Sequence, residues 1–277
     1  MEMQQHEAID GVVVRVRDMG DRDRYLSVLT AQKGRITMLS KGSRALKGPQ
    51  VAVSQLYTYG NFEYYRKGTF YILKGGSAIE PFYALSFDID RINLAAYLCD
   101  VSYELTDEGE DATGMLRLLL NSLYAISKDL YVQELIKGAF EMRAAADAGY
   151  EPELETCASC GRASAEHWYL DVMNGALLCP DCLQKRGKQV KQVGTYDDVR
   201  EAEVLCPLSP AVRDALRYCI RAPLARLFSF ELKETDDLHA FSKAAQTYLL
   251  SHLGRGFDSL DFYHMMRKDL KASAKGT

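Results

Sequence analysis

Four cysteines stand in two close pairs, Cys157-x2-Cys160 and Cys179-x2-Cys182, separated by eighteen residues. Two residues between ligands let both sulfurs of a pair face one ion, and four thiolates fill a tetrahedron at about 2.3 Å. Both spacings match four-cysteine zinc sites. Four sulfurs leave no coordination position for water or substrate. The chemistry expected is therefore structural, with one Zn2+ ion holding a fold rather than activating a nucleophile. Gly161 follows the second cysteine, where a tight turn favours a residue without Cβ. Asn174-Gly175, between β-prone runs, predicts a type I′ hairpin. A hairpin with ligand pairs near its ends is a zinc ribbon. Such an insert is too small to bury its own core, so metal binding should be its main folding contribution, about 10–16 kcal/mol. Two unrelated pairs of reduced thiols fit less well, as does a redox pair, because neither C-x-x-C lies in a strand–helix context. His167 reads as a surface residue rather than a substitute ligand.

No other constellation supports catalysis. The sequence lacks a phosphate-binding G-x-x-x-x-G-K-[ST] loop and a G-x-G-x-x-G after a strand. Its five histidines have no metalloprotease spacing. Asp88 and Asp90 could bind a nuclease metal, but they read better as acidic groups in the first turn of a helix. Cys99, Cys206 and Cys219 are scattered, and structural roles are expected for them. An odd total of seven cysteines, with no export signal at the N-terminus, argues against a disulfide framework. A cytoplasmic, nucleoid-associated protein is expected.

The net charge of -4 hides an asymmetry. Residues 1–76 hold 12 Lys and Arg against 7 Asp and Glu, whereas the remainder holds 22 against 31. Arg15, Arg17, Arg22, Arg24, Lys33, Arg35, Lys41, Arg44 and Lys47 cluster in one short segment of an otherwise acidic chain. They are candidates for contact with DNA phosphates. Aromatic residues are interleaved among and after them: Tyr25, Tyr57, Tyr59, Phe62, Tyr64, Tyr65, Phe70 and Tyr71. Those that face outward could stack on bases, and those that face inward fill a core.

The elements that must position these groups follow from periodicity. Ile9–Arg17, Tyr25–Thr30, Arg35–Lys41, Val53–Tyr65 and Thr69–Lys74 read as five strands, with a long loop after the third. That pattern predicts an OB-type barrel, with an SH3-like barrel as the alternative. From residue 86 the period becomes helical, with helices expected at 89–105, 115–126, 132–146, 213–220 and 238–253. Ser209-Pro210 opens one of them, Asp237 precedes the last and Gly254 ends it. The expected class is α+β: an OB-fold over 1–80, a helical body over 81–149 and 191–270, a zinc ribbon inserted at 150–190 and a disordered tail at 271–277.

Three stretches resemble the RecO family of bacterial recombination mediators, in its zinc-containing form. VVVRVRDMGDRDRYLSVLTAQKGRITMLSKGSR resembles its opening barrel strands and basic loop. FEMRAAADAGYEPELETCASCG resembles its helix, Gly-Tyr-x-Pro and first zinc pair, and YLLSHLGRGFDSLDF resembles its closing helix. The resemblance implies a non-catalytic protein that binds single- and double-stranded DNA and anneals complementary strands. It also implies that RecR acts with it to load RecA on DNA coated by single-strand-binding protein. The nine basic residues are then the DNA contacts. Arg143, Arg213 and Arg217 are candidates for receiving the acidic tail of single-strand-binding protein. Two other functions compete. A zinc-dependent enzyme acting on nucleic acid needs an open metal position, and a zinc-ribbon protein–protein adaptor needs no DNA contact.

Overall fold

The computed structural model describes residues 6–44, 50–68, 70–190 and 204–274. The chain divides into two compact units, Met1–Leu130 with Phe257–Thr277, and Tyr131–Gly256. The first unit therefore takes up the barrel, the first helices and the C-terminal helix together. No helix among the described residues is long and apolar enough to cross a membrane.

In the first unit, β1 (His6–Met19), β2 (Asp23–Thr30), β3 (Arg35–Ser40), β4 (Tyr59–Lys67) and β5 (Phe70–Glu80) form a closed barrel in the order β1-β2-β3-β5-β4. β3 and β5 run parallel, and the other pairs are antiparallel. This is an OB-type barrel. Strand periodicity sends alternate side chains inward. Val13, Leu26, Val28, Ile36, Met38, Phe62, Tyr64 and Leu73 thus form the core. A bulge between Val13 and Arg15 lets β1 bend around the barrel.

The apolar run from Val53 does not begin a strand. Residues 51–57 form turns, and β4 starts only at Tyr59. Val53 instead plugs the barrel core with no exposure. Tyr57 takes a left-handed backbone (φ 68°), its N–H donates to Val13 O at 2.9 Å and its hydroxyl reaches Ile92 O at 3.3 Å. Tertiary anchoring here overrides β-propensity.

α1 (Ile89–Glu104), α2 (Thr113–Ser127) and α7 (Asp258–Ala274) complete this unit. Asp88 caps α1 by accepting from the N–H groups of Asp90 and Arg91, so the acidic pair serves a helix start. The 31–34 turn docks on the acidic segment after α1, where Gly109 N–H donates to Lys33 O and Ala112 N–H to Ala31 O. A Cβ on Gly34 would lie 1.8 Å from Asp107 O, and its φ of +59° favours glycine too. Gly254 ends the preceding helix as its position predicts, and α7, which the periodicity did not predict, begins at Asp258. α7 continues through Ala274, so residues 271–274 are helical rather than a disordered tail, and 275–277 lie outside the described residues.

The second unit holds α3 (Gln133–Asp147), β6 (Trp168–Asp171), β7 (Ala176–Leu178), α4 (Pro180–Val190), β8 (Leu205–Leu208), α5 (Pro210–Arg221) and α6 (Thr235–Leu253). β6 lies between β7 and β8 in a three-stranded sheet. The pairing Asp171↔Ala176 leaves four residues in the connection, not the two of a type I′ turn. The Asp171 carboxylate accepts from Asn174 N and Nδ2 and fixes this longer loop. Ser209 caps α5, accepting from Val212 N–H at 3.2 Å. Asp237 does not open α6, which starts two residues earlier after Glu234. Its carboxylate accepts from Ser209 Oγ at 2.7 Å instead.

α3 and α6 pack closely at Gly138, where a Cβ would lie 2.5 Å from Cε1 of the fully buried Phe241. Gly138→Ala gains up to about 1 kcal/mol of helix propensity but overpacks this contact at a cost of about 1–3 kcal/mol. The expected result is a net loss of stability and a melting temperature lower by a few degrees, measured by calorimetry. An unchanged or raised melting temperature would mean that Phe241 moves freely.

Candidate nucleic-acid interface and candidate metal centre

The Sγ atoms of Cys157, Cys160, Cys179 and Cys182 all lie within 4.8 Å of one another. Cys160 and Cys179 Sγ are 3.8 Å apart, close to the roughly 3.8 Å edge of a tetrahedron with 2.3 Å metal–sulfur bonds. Gly161 has φ +70° and its N–H donates to Cys157 O at 2.8 Å, which closes the first turn. Cys179 follows directly on β7, and Cys182 sits in the first turn of α4. Ala158 N–H donates to Leu177 O and ties the two ligand pairs together.

Burial opposes ionisation of Cys157, but backbone N–H groups of Cys179, Ser159 and Cys160 outweigh it and bring its thiol down to about 6. Contacts with Cys160 and Cys179 push Cys182 up to about 12. Thiols so close cannot all ionise without a cation among them, and the donor set fits a soft or borderline ion. The cluster can hold a metal ion. Cys99, Cys206 and Cys219 are buried and do not belong to the cluster, and desolvation raises the pKa of each. His167 is exposed.

The barrel register fixes what faces outward. Arg17 pairs with Tyr25, Tyr25 with Leu39, Leu39 with Ile72, Ile72 with Tyr65 and Tyr65 with His6. This row crosses all five strands on the outer surface, while the adjacent Leu26, Met38, Leu73 and Tyr64 fill the core. The Arg17 guanidinium lies 5.6 Å from the Tyr25 ring centroid. Two residues along from this row, Lys41, Phe70 and Lys67 join Tyr25, Leu39 and Ile72 in lining a cleft of about 340 Å³. The loops after β1 and β3 meet at one end of this face, where Arg44 N–H donates to Arg22 O at 3.1 Å and Gly42 N–H to Asp23 at 2.8 Å.

The nine basic candidates separate into groups. Arg17, Arg22 and Lys41 are exposed and have no acidic partner among the described residues. Arg24 and Arg44 share the single carboxylate of Asp18, at 3.0 and 3.5 Å, which leaves this trio a net positive charge. Arg15 and Arg35 have internal partners. Their guanidinium carbons lie 3.7 and 3.6 Å from the Tyr103 ring centroid, so they must cover opposite faces of it. Arg15 also pairs with Asp100 at 2.8 Å, and Arg35 with Asp107 and Thr106 O. Lys33 bonds Glu7 and the Tyr64 hydroxyl, and both raise the pKa of its ammonium. Lys47 lies outside the described residues. Sequence reasoning missed Lys67 and the aspect of Phe70. The signal was their parity with Tyr65 and Ile72, readable only once the register is known.

The three arginines considered for an acidic peptide all have internal partners. Arg143 on α3 bonds Asp147 and Ala222 O. Arg213 bonds Asp214 and Ala163 O and lies 5.1 Å from the Trp168 ring. Arg217 pairs with Glu155 at 2.7 Å and Asp214 at 3.5 Å. The structure brings Arg213 and Arg217 together through Asp214, without Arg143.

Comparison with known proteins agrees with this architecture. Residues 3–82 match the family model described as Recombination protein O N terminal, and residues 86–261 match Recombination protein O C terminal. The DNA repair protein RecO of Acetivibrio thermocellus is 29% identical over 91% of this chain and 94% of its own length. That of Symbiobacterium thermophilum is 25% identical over 94% and 97%, and that of Clostridium acetobutylicum 20% over 94% and 97%.

Proposed function

The chain belongs to the RecO family of DNA repair proteins, and from this premise we propose that it is a non-catalytic recombination mediator that binds DNA through the outer barrel face. The observation behind this reading is the row from Arg17 to Tyr65, flanked by Arg22, Lys41 and Lys67 with no acidic partners among the described residues. Cations neutralise phosphates and release counterions, and exposed aromatic and apolar groups beside them accept bases. Arg24 and Arg44 add the surplus charge of the Asp18 trio. Arg15, Lys33 and Arg35 position the barrel surface rather than meeting phosphates.

The ion in the cysteine cluster is, in this reading, one structural Zn2+. Four cysteine sulfurs within 4.8 Å of one another suit it, and four thiolates leave no open position for catalysis. The ion would supply folding energy to the ribbon at 150–190. The OB-fold over 1–80 and the helical segments over 81–149 and 191–270 are the remaining parts of this division. RecR, single-strand-binding protein and, through them, RecA are the partners proposed, with single- and double-stranded DNA as ligands, in the cytoplasm and on the nucleoid. An acidic tail docking at Arg213 and Arg217 would have to exchange with Asp214 and Glu155, and Arg143 would act separately.

An annealing assay tests the mediator reading. Complementary oligonucleotides precoated with single-strand-binding protein should pair several-fold faster when the protein is added. No acceleration, together with no DNA binding at low salt, would leave only the adaptor function.

A further inference from the structure

We infer that the cleft between Tyr25 and Phe70 is a stacking site for an unpaired nucleobase, and that it makes the barrel face discriminate single strands from duplex. This rests on the DNA-binding reading above and adds to it the feature that is recognised. Phe70 is 62% exposed at the start of β5. Its neighbours in the cleft are the apolar floor of Leu39 and Ile72, the ring of Tyr25, and the ammonium-bearing chains of Lys41 and Lys67. Lys67 is paired directly across from Phe70 in the β4–β5 ladder. Neither lysine has a carboxylate partner among the described residues. A cleft of about 340 Å³ lies at the small end of the roughly 300–1,000 Å³ range of organic ligand sites.

The charges select the occupant. A planar apolar group could enter on the strength of Phe70 and Ile72 alone. Two unpaired ammonium groups at the rim require that it arrive with negative charge on either side. An unpaired base on a phosphodiester chain has that pattern, with a π-face for Phe70 and flanking phosphates for Lys41 and Lys67. A base inside a duplex shows no free π-face, so duplex would meet only the cations. The Tyr25 ring already carries Arg17 over it, which leaves Phe70 as the more open ring.

The test uses the full-length protein, an oligothymidylate, the same phosphate chain with abasic sites, and a duplex of equal length. Phe70→Ala should weaken oligothymidylate binding by about tenfold, the effect of removing one stack. Duplex affinity and the salt dependence of both should stay unchanged. Phe70→Trp should bind the single strand at least as tightly as the native chain. The native protein should bind the abasic chain about tenfold more weakly than oligothymidylate, and Phe70→Ala should show no such difference. The abasic comparison with native protein stands even if Phe70→Ala fails to fold. Equal native affinity for abasic and normal chains would overturn the proposal, as would an equal loss on single strand and duplex. A native protein that bound neither DNA form would end the DNA-binding reading itself, and this proposal with it.

Discussion

Stripping the proposed Zn2+, or replacing Cys179 by serine, should unfold the ribbon while the barrel stays intact. Structural zinc contributes about 10–16 kcal/mol of apparent binding energy in small zinc modules, comparable to the whole stability of a typical domain, about 5–15 kcal/mol. Two observations extend the effect beyond the ligands. Trp168, Leu170 and Leu177 are fully buried in a sheet of which β7 runs directly into Cys179. β6 also pairs with β8, so disorder at the ligands would reach Leu205–Leu208 and the α5 cap that follows. Hydrogen exchange on chelated protein should therefore show lost protection across 153–182 and 205–208. The amides of the unit formed by β1–β5, α1, α2 and α7 should keep theirs, and oligonucleotide binding should persist. Full protection of the ribbon after verified metal removal would mean that the four thiols pack without an ion.

Replacing Arg17, Arg22, Lys41 and Lys67 together by glutamine should flatten the dependence of log K on log salt by nearly three units for single strands, at about 0.7 for each phosphate no longer neutralised. Replacing Arg15, Lys33 and Arg35 should leave that slope nearly unchanged and lower the melting temperature instead. The difference follows from their partners. Arg15 and Arg35 hold Tyr103 between them and pair with Asp100 and Asp107, and Lys33 joins Glu7 to Tyr64. Charges already neutralised within the chain release few counterions from DNA. Salt titrations of the two variants, read by fluorescence anisotropy, separate the groups. Equal flattening by both sets would mean that the internal ion pairs open when DNA binds.

The cysteine cluster was legible in the sequence because its information is local. Two-residue gaps, one glycine and the distance between pairs specify the cluster without knowledge of any other element. The barrel strands were legible from period-2 alternation, except where Val53 plugs the core and Tyr57 anchors the turn before β4. The roles of individual basic residues were not legible. Arg15 meets Asp100 and Arg35 meets Asp107 across more than seventy residues of chain, and no local pattern encodes such pairs. The outer row from Arg17 to Tyr65 depends on four successive strand registers, and an error of one residue in any of them would turn part of it inward. The four-residue connection in the ribbon escaped for a different reason. Asn-Gly is a strong turn signal, but Asp171 captures Asn174 and lengthens the loop.

The first compact unit is assembled from two segments that flank the second unit in the chain, and this governs the order in which its contacts can form. Asp100 on α1 receives Arg15 from the barrel and Ser259 from α7, and Tyr97 on the same helix meets Phe257 edge to face at 5.7 Å. A ribosome delivers the barrel strands early, but the groups that cover this side of α1 emerge only after the whole intervening unit has been synthesised. During that interval Tyr97 lacks its Phe257 contact. A stop codon before Phe257 would make the loss of that contact permanent, even though every residue proposed to contact DNA had already been translated.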